Sequence, residues 1–408
     1  MIPAQDRTIL RDLARRVAEI AALPEMEERR REWKRHNSLR HGRPMMLIFP
    51  EGSWGELLPH TALRCEDPQA RNMEWDLRHR IYTFEHLASD NVVDGEWVVH
   101  KVIHSTGWGL EPRHHDSPEA RGAWAFDPVI REPADMRKLH HPDISVDEDA
   151  TRRSFEDAVD LFGDILQVKL KGVAHISYHL MNQWTGWRGL EQTMTDMCEN
   201  PAWVHEAMAF LEEGHRRVLG QYIEMNLLSL NNDNTYHSSG GNGWTDELPA
   251  PGFDPERVRP CDMWASAEAQ ELAQVGPRMH AEFSMRYEKR LLEPFGLTGY
   301  GCCEDLTRKL DDVLTIPHIR RISIAPMANV ERSAERLGDA AIFSWKPDPS
   351  FLVGDFDEER LRAYLLHAVR ACSGCVMEMI LKDTHTCEWH PERFDRWTQI
   401  AREVIETA

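Results

Sequence analysis

No run of apolar residues in this chain approaches the roughly 20 needed to span a bilayer. The first residues are charged and amphipathic and lack the apolar stretch of a secretory leader. The eight cysteines are scattered over 408 residues without the spacing of a disulfide scaffold. These absences set the expectation of a reducing, cytoplasmic protein with free thiols. Basic residues are also in short supply. Only 48 Lys and Arg stand against 68 Asp and Glu, a net charge of −20. Such a surface repels nucleic acid and anionic membrane, so neither is expected as a partner. Neither GxGxxG nor GxxxxGK[ST] follows any apolar segment, which removes the usual nucleotide-binding open sheets.

What the chain does have is alternation. Short apolar segments recur at 45–49, 91–100, 165–170, 227–230, 297–300, 320–324, 340–345 and 376–381, with helical spacing between them. Asn200 and Pro201 open the longest of those helices as an N-cap followed by proline in the first turn. Strands alternating with helices imply a parallel sheet with helical crossovers. Eight strands over this length fit a (β/α)8 TIM barrel over residues 41–408, preceded by an N-terminal helical extension, residues 1–40. In the extension Leu10, Leu13, Val17 and Ile20 recur at helical spacing and offer a dimerisation element for a homodimer, with the oligomeric state left open. Residues 107–143, rich in His, Pro and Arg, read as an insertion or lid after the second strand. A second long loop, 231–260, is rich in Gly, Asn and Pro.

In such a barrel the chemistry sits in the loops that follow the strands. Glu51 follows the first strand between Pro50 and Gly52, as a general acid/base or as a helix-capping carboxylate. His179 follows the third strand. Asn232 and His237 follow the fourth, as turn chemistry or as substrate hydrogen-bonders. The fifth strand runs into Gly299-Tyr300-Gly301-Cys302-Cys303-Glu304. Adjacent cysteines do not easily bond to each other, so this pair reads as a ligand source or as small buried hydrophobes. Lys382, Asp383, His385 and Cys387 follow the eighth strand. Lys382 and Asp383 are a structural ion pair or a binder of a substrate carboxylate. Thiolate and imidazole donors at one barrel mouth suit Zn²⁺. The Cys372-Ser-Gly-Cys375 segment, at a helix end, reads as a structural turn. The 14 tryptophans, Trp54, Trp184 and Trp244 among them, are candidates for the aromatic walls of a pocket.

Three segments carry a family resemblance: Tyr300-Gly-Cys-Cys-Glu-Asp-Leu306, Ile324-Ala-Pro-Met-Ala-Asn-Val-Glu331 followed by Ala334-Glu-Arg-Leu-Gly338, and Lys382-Asp-Thr-His-Thr-Cys387 with its closing helix. Over residues 40–408 the chain resembles the uroporphyrinogen decarboxylase-like superfamily, and within it the zinc- and corrinoid-linked methyltransferase branch. In that branch zinc is held by a His-x-Cys motif after the fifth strand and by a distant cysteine. Cys302 matches the motif cysteine and Cys387 the distant one; Tyr300 stands at the histidine position, and His385, Glu304 and His237 are the replacement candidates. The decarboxylase's arginine-rich motif is missing, and Pro50-Glu-Gly-Ser-Trp54 stands in its place, which ranks tetrapyrrole decarboxylation low.

The resemblance implies a zinc-assisted methyltransferase. It would move a methyl group between a small methylated substrate, methoxylated aromatics included, and a thiol or a corrinoid carried on a separate protein. Cys302, His385 and Cys387 are then the zinc ligands, and Glu51, Glu304 and Tyr300 the acid/base candidates. Trp54, His179, Asn232, His237, Lys382 and Asp383 would surround the substrate. A metal-independent decarboxylase or lyase of the same superfamily is the alternative enzyme. A barrel that binds a small ligand without turning it over is the third reading.

Overall fold

Thirteen strands are described, numbered along the chain: β1 (Met45–Ile48), β2 (Glu96–His100), β3 (Val102–Ser105), β4 (Arg113–His115), β5 (Ala125–Asp127), β6 (Ile144–Asp147), β7 (Gln167–Lys171), β8 (Ser177–Tyr178), β9 (Trp264–Ala267), β10 (Leu297–Tyr300), β11 (Ile319–Ile324), β12 (Ile342–Trp345) and β13 (Met377–Leu381). The computed structural model describes residues 2–115 and 125–407. Seven strands form one sheet in the order β1-β13-β12-β11-β10-β9-β8, and every pairing in it is parallel. β1, β12 and β13 are buried along their whole length. Burial on both faces explains why their segments read as mostly apolar runs, interrupted by Ser344 in β12 and Glu378 in β13, rather than as alternating ones. The result is an α/β fold of TIM-like form. β2 pairs in parallel with β7, and the chain from β7 continues through residues 172–176 into β8. Among the described residues no ladder joins β1 to β2.

Two strand assignments change. Residues 227–230 do not form a strand; Leu228 makes a single bridge to Val173. The sheet position beside β10 belongs instead to β9, Trp264-Ala-Ser-Ala267. Its residues are small apart from Trp264 and none is β-branched, so it lacks the composition that marks a strand.

The N-terminal extension is two helices, Ala4–Ala21 and Pro24–Asn37, the second opened by its proline. Leu10, Ala14, Val17 and Ile20 are fully buried in a second core, against helix Pro68–His86, β2, β7 and helix Glu148–Phe162. The apolar stripe that offered a dimer surface is therefore covered by the chain itself. Helix Pro24–Asn37 delivers His36 and Asn37 to the inner face of the sheet. There the Arg321 guanidinium donates to Glu378 Oε1 at 2.9 Å and to Asn37 Oδ1 at 2.8 Å. His36 Nε2 lies 3.1 Å from Glu378 Oε2, and Ser344 Oγ donates to Glu378 Oε1 at 2.5 Å. Arg321 and Glu378 are both 0 % exposed. Burial opposes the Glu378 charge, yet Arg321 and His36 hold its carboxyl well below the usual range.

Long loop 231–260 folds inward rather than over the surface. His237 and Gly241 exchange backbone hydrogen bonds of 2.8 and 3.0 Å across a tight turn. A Cβ on Gly240 (φ +113) would lie 2.5 Å from Ile380 on β13, and one on Gly241 would lie 2.2 Å from the guanidinium carbon of Arg321 on β11. Glycine alone allows this approach. A turn that touches β11 and β13 at once lies on the enclosed face of the sheet.

The described part of the 107–143 insertion packs on the body of the protein. β3 pairs with β6 and β4 with β5, both antiparallel. Trp187 donates to Leu110 O at 3.0 Å, and Arg188 to Arg131 O at 2.8 Å. Residues 116–124 of the expected lid lie outside the described residues. Among the described residues no helix is long and apolar enough to cross a membrane.

Candidate active site

β10 ends at Tyr300, and Gly301 turns the chain with φ +94, where a Cβ would lie 2.7 Å from Leu306. This bend sets Cys302 and Cys303 at the C-terminal end of the sheet, with their sulfurs 3.5 Å apart. The inward loop brings Ser239 up to them, and its hydroxyl donates to Cys302 Sγ at 3.5 Å. Lys382, directly after β13, donates to Ser239 Oγ at 3.3 Å and lies 3.6 Å from Asp383. Cys303 Sγ is 3.7 Å from Asp383 Oδ2. The Asp383 amide donates to Glu51 Oε2 at 2.8 Å, which joins the loop after β1. Glu51 (φ 45) and Asp383 (φ 58) both sit in the left-handed region. Paired non-glycine residues in that region mark backbone held against its preference, as functional sites hold it.

The electrostatics favour a thiolate at Cys302. The hydrogen bond from Cys303 lowers its pKa most, and the Lys382 charge and Ser239 hydroxyl add to that against burial, bringing it to about 6. Cys303 moves the other way, because the Cys302 charge beside it keeps its own proton on. Burial works against the charge of Lys382, but Tyr236, Cys302, Asp383 and Glu51 around it raise its pKa.

A group of carboxylates and an imidazole lies beside the thiols. Glu304, fully buried, accepts from the Cys302 amide at 2.9 Å. Burial and the neighbouring Glu268 push it up to about 7. Glu268, the first residue after β9, holds His179 Nδ1 in a short hydrogen bond and accepts from the Gln270 amide at 2.8 Å. Burial opposes a charge on His179, yet the Glu268 hydrogen bond raises its pKa. Asn182 donates to Glu271 Oε1 at 2.7 Å.

Cys302, Glu51, Lys382, Asp383, Glu304 and His179 are thus gathered at one end of the sheet. Other residues singled out in the sequence lie elsewhere. Tyr300 is fully buried on the opposite face of its strand, where its hydroxyl donates to Glu288 at 2.9 Å and meets His280 Nε2 at 3.1 Å. His237 is buried in the inner face, stacked on Trp264 with ring centroids 5.4 Å apart, and bonded to Asn231 O at 2.9 Å. Asn232 pins its own loop through Leu248 O at 2.9 Å. Trp54 packs among Trp75, His79 and Tyr82. Trp184 packs against Trp203, and Trp244 lies under the Arg30 guanidinium.

The three expected zinc ligands are not brought together. Cys387 is buried with its sulfur 3.2 Å from Glu56 Oε2, a carboxylate that also accepts from the Cys387 and Trp389 amides. His385 is exposed, with its backbone against Gly52. Among the described residues no group of three or more His, Cys, Asp or Glu side chains is arranged to hold a metal ion.

Ser239, Glu268 and Glu56 were not singled out in the sequence. The Gly240-Gly241-Asn242-Gly243 run was the available signal for Ser239, since clustered glycines mark close backbone approach. Glu268 was hidden because its strand was missed.

No protein-family model matches the sequence, and no curated protein matches it. The fold does have a counterpart. It is similar to that of a solved methyltransferase from Methanosarcina mazei. The TM-score is 0.50 at 9 % identity, over 91 % of this chain and 97 % of that one. At that identity the likeness is one of fold.

Proposed function

We propose that this protein is a methyltransferase of the uroporphyrinogen decarboxylase-like superfamily, with its reaction centre at Cys302. The observation that carries this reading is the arrangement of the Cys302 sulfur, held between Cys303 and Ser239 with the Lys382 ammonium behind it. Methyl transfer by displacement needs a nucleophile with an available lone pair, a thiolate is a strong one, and Cys302 has the surroundings of a thiolate. The fold likeness to a methyltransferase supports the same class of reaction. In the forward step the sulfur lone pair forms a bond to the methyl carbon as the bond from that carbon to its leaving atom breaks. The leaving atom keeps the electron pair and takes a proton from His179, whose other nitrogen is anchored by Glu268. In the second step the final acceptor, a thiolate or a cob(I)alamin on a separate protein, would attack that methyl carbon as the bond to the Cys302 sulfur breaks and the sulfur leaves with the electron pair as the thiolate.

The experiment is direct. The protein is incubated with ¹³C-methyl donors of the ether, amine and thioether classes, together with a small thiol or cob(I)alamin, and products are followed by mass spectrometry. Transfer by the wild type with loss of at least about 100-fold in Cys302→Ser supports the reading. Absence of transfer from every donor, or full activity in Cys302→Ser, refutes it.

A further inference from the structure

A cavity of about 650 Å³ lies between β1 and the β2–β7 pair, backed by helix Pro68–His86. It exists because no ladder joins β1 to β2 among the described residues, so the strands there are separated rather than zipped together. Its volume falls in the range of small-molecule sites, roughly 300–1,000 Å³. Leu47, Val92, Val98 and Val173 form apolar walls.

Each charged group around it has a partner of opposite sign, with four carboxylates sharing three cations. Arg80 pairs with Asp76 at 2.9 Å and lies 3.8 Å from Asp94, Lys171 pairs with Asp233, and Glu96 pairs with Lys169. An anionic ligand would meet a surplus of carboxylate and no free cation, and its desolvation would go uncompensated. At one end stands Tyr236. Its ring meets the edge of Phe49 at 5.5 Å, and its backbone carbonyl lies 2.9 Å from His175 Nδ1. Burial raises the pKa of its phenol, and the charge of Lys382, the same ammonium that serves the Cys302 cluster, works against that. Tyr236 is therefore common to the cavity lining and to the surroundings of Lys382.

We propose that this cavity binds an uncharged, largely apolar molecule of one or two rings, with one end against Tyr236. The carboxylate surplus excludes an anion, and the apolar walls with the Phe49 and Tyr236 rings favour an aromatic partner. That the occupant is the body of a methyl-transfer substrate rests on the reading of Cys302 given above; the binding itself does not.

The test uses the full chain with methyl-labelled Leu and Val, titrated with indole and, separately, with indole-3-acetate. Indole is expected to shift the methyls of Leu47, Val92, Val98 and Val173 saturably, and indole-3-acetate to bind at least about tenfold more weakly. Val98→Trp, which fills the cavity, is expected to weaken indole binding by about tenfold or more, and Cys302→Ser to leave it unchanged. The wild-type titration stands alone if Val98→Trp does not fold. No saturable shift, shifts confined to other methyls, or equal affinity for the two probes overturns the proposal. Indole binding at these methyls in a protein that transfers no methyl group refutes the methyl-transfer reading alone.

Discussion

Replacing Cys303 with alanine should raise the pH at which Cys302 becomes reactive. The Cys303 hydrogen bond, the Lys382 charge and the Ser239 hydroxyl bring the wild-type thiol down to about 6, against an ordinary value of about 8.5. That difference corresponds to about 3 kcal/mol in favour of the thiolate. At pH 7 it raises the thiolate fraction from about 3 % to about 90 %, roughly 30-fold. A less basic thiolate is also a weaker nucleophile, by about 10- to 18-fold over this range, so the net gain in rate at pH 7 is only about two- to threefold. The diagnostic observable is thus the midpoint of the pH profile and not the rate at one pH. Alkylation by iodoacetamide, read by peptide mass spectrometry with the exposed Cys198 as reference, gives that midpoint. Cys303→Ala removes the largest cause of the shift. A hydrogen bond to a charged group is worth about 1.5–3 kcal/mol, so the midpoint should rise by about 1–2 pH units. A wild-type midpoint in the ordinary thiol range, unmoved by Cys303→Ala, would refute the reasoning.

Two further predictions concern the scaffold. Glu378→Gln leaves the buried Arg321 charge without its anion, and urea unfolding should show a loss of about 3–5 kcal/mol; a loss under about 1 kcal/mol would mean that Arg321 finds another partner. The Glu56 carboxyl, despite burial, is brought to about 2 by Thr386, Trp389 and Cys387, below its unfolded value of about 4.3. Its contribution is therefore fully present above about pH 4.3 and fades as pH falls towards 2. Wild-type stability should drop between pH 5 and 3 by about 2 kcal/mol more than that of Glu56→Gln, and parallel curves for the two proteins would contradict this.

Much of the fold can be read from residue pattern alone. The largely apolar segments at β1, β10, β12, β13 and the last four residues of β11 are buried on both faces, and burial of that kind forces a composition visible in one dimension. β9 was invisible because its small residues have no strand signature. The clustering of chemistry after β1, β10 and β13 was also visible, because parallel strands present their C-terminal ends together. What chain order could not convey is which face each side chain takes. A Cβ on Gly299 would meet Ser238 of the inner loop at 2.8 Å, so strand alternation turns Tyr300 to the opposite face, onto Glu288. Cys387 and Cys302 look equivalent as thiols in the sequence. Only packing gives one to the Glu56 carboxylate and the other to Ser239, with Lys382 behind it.

The sequence by itself determined a parallel α/β chain with a thiol-bearing turn at one strand end, because backbone pairing and burial follow local pattern. The tertiary structure alone decided the partners of that turn. They come from residues more than 60 positions before it in Ser239 and 80 after it in Asp383, and the Cys302 charge depends on contacts that exist only when those loops meet.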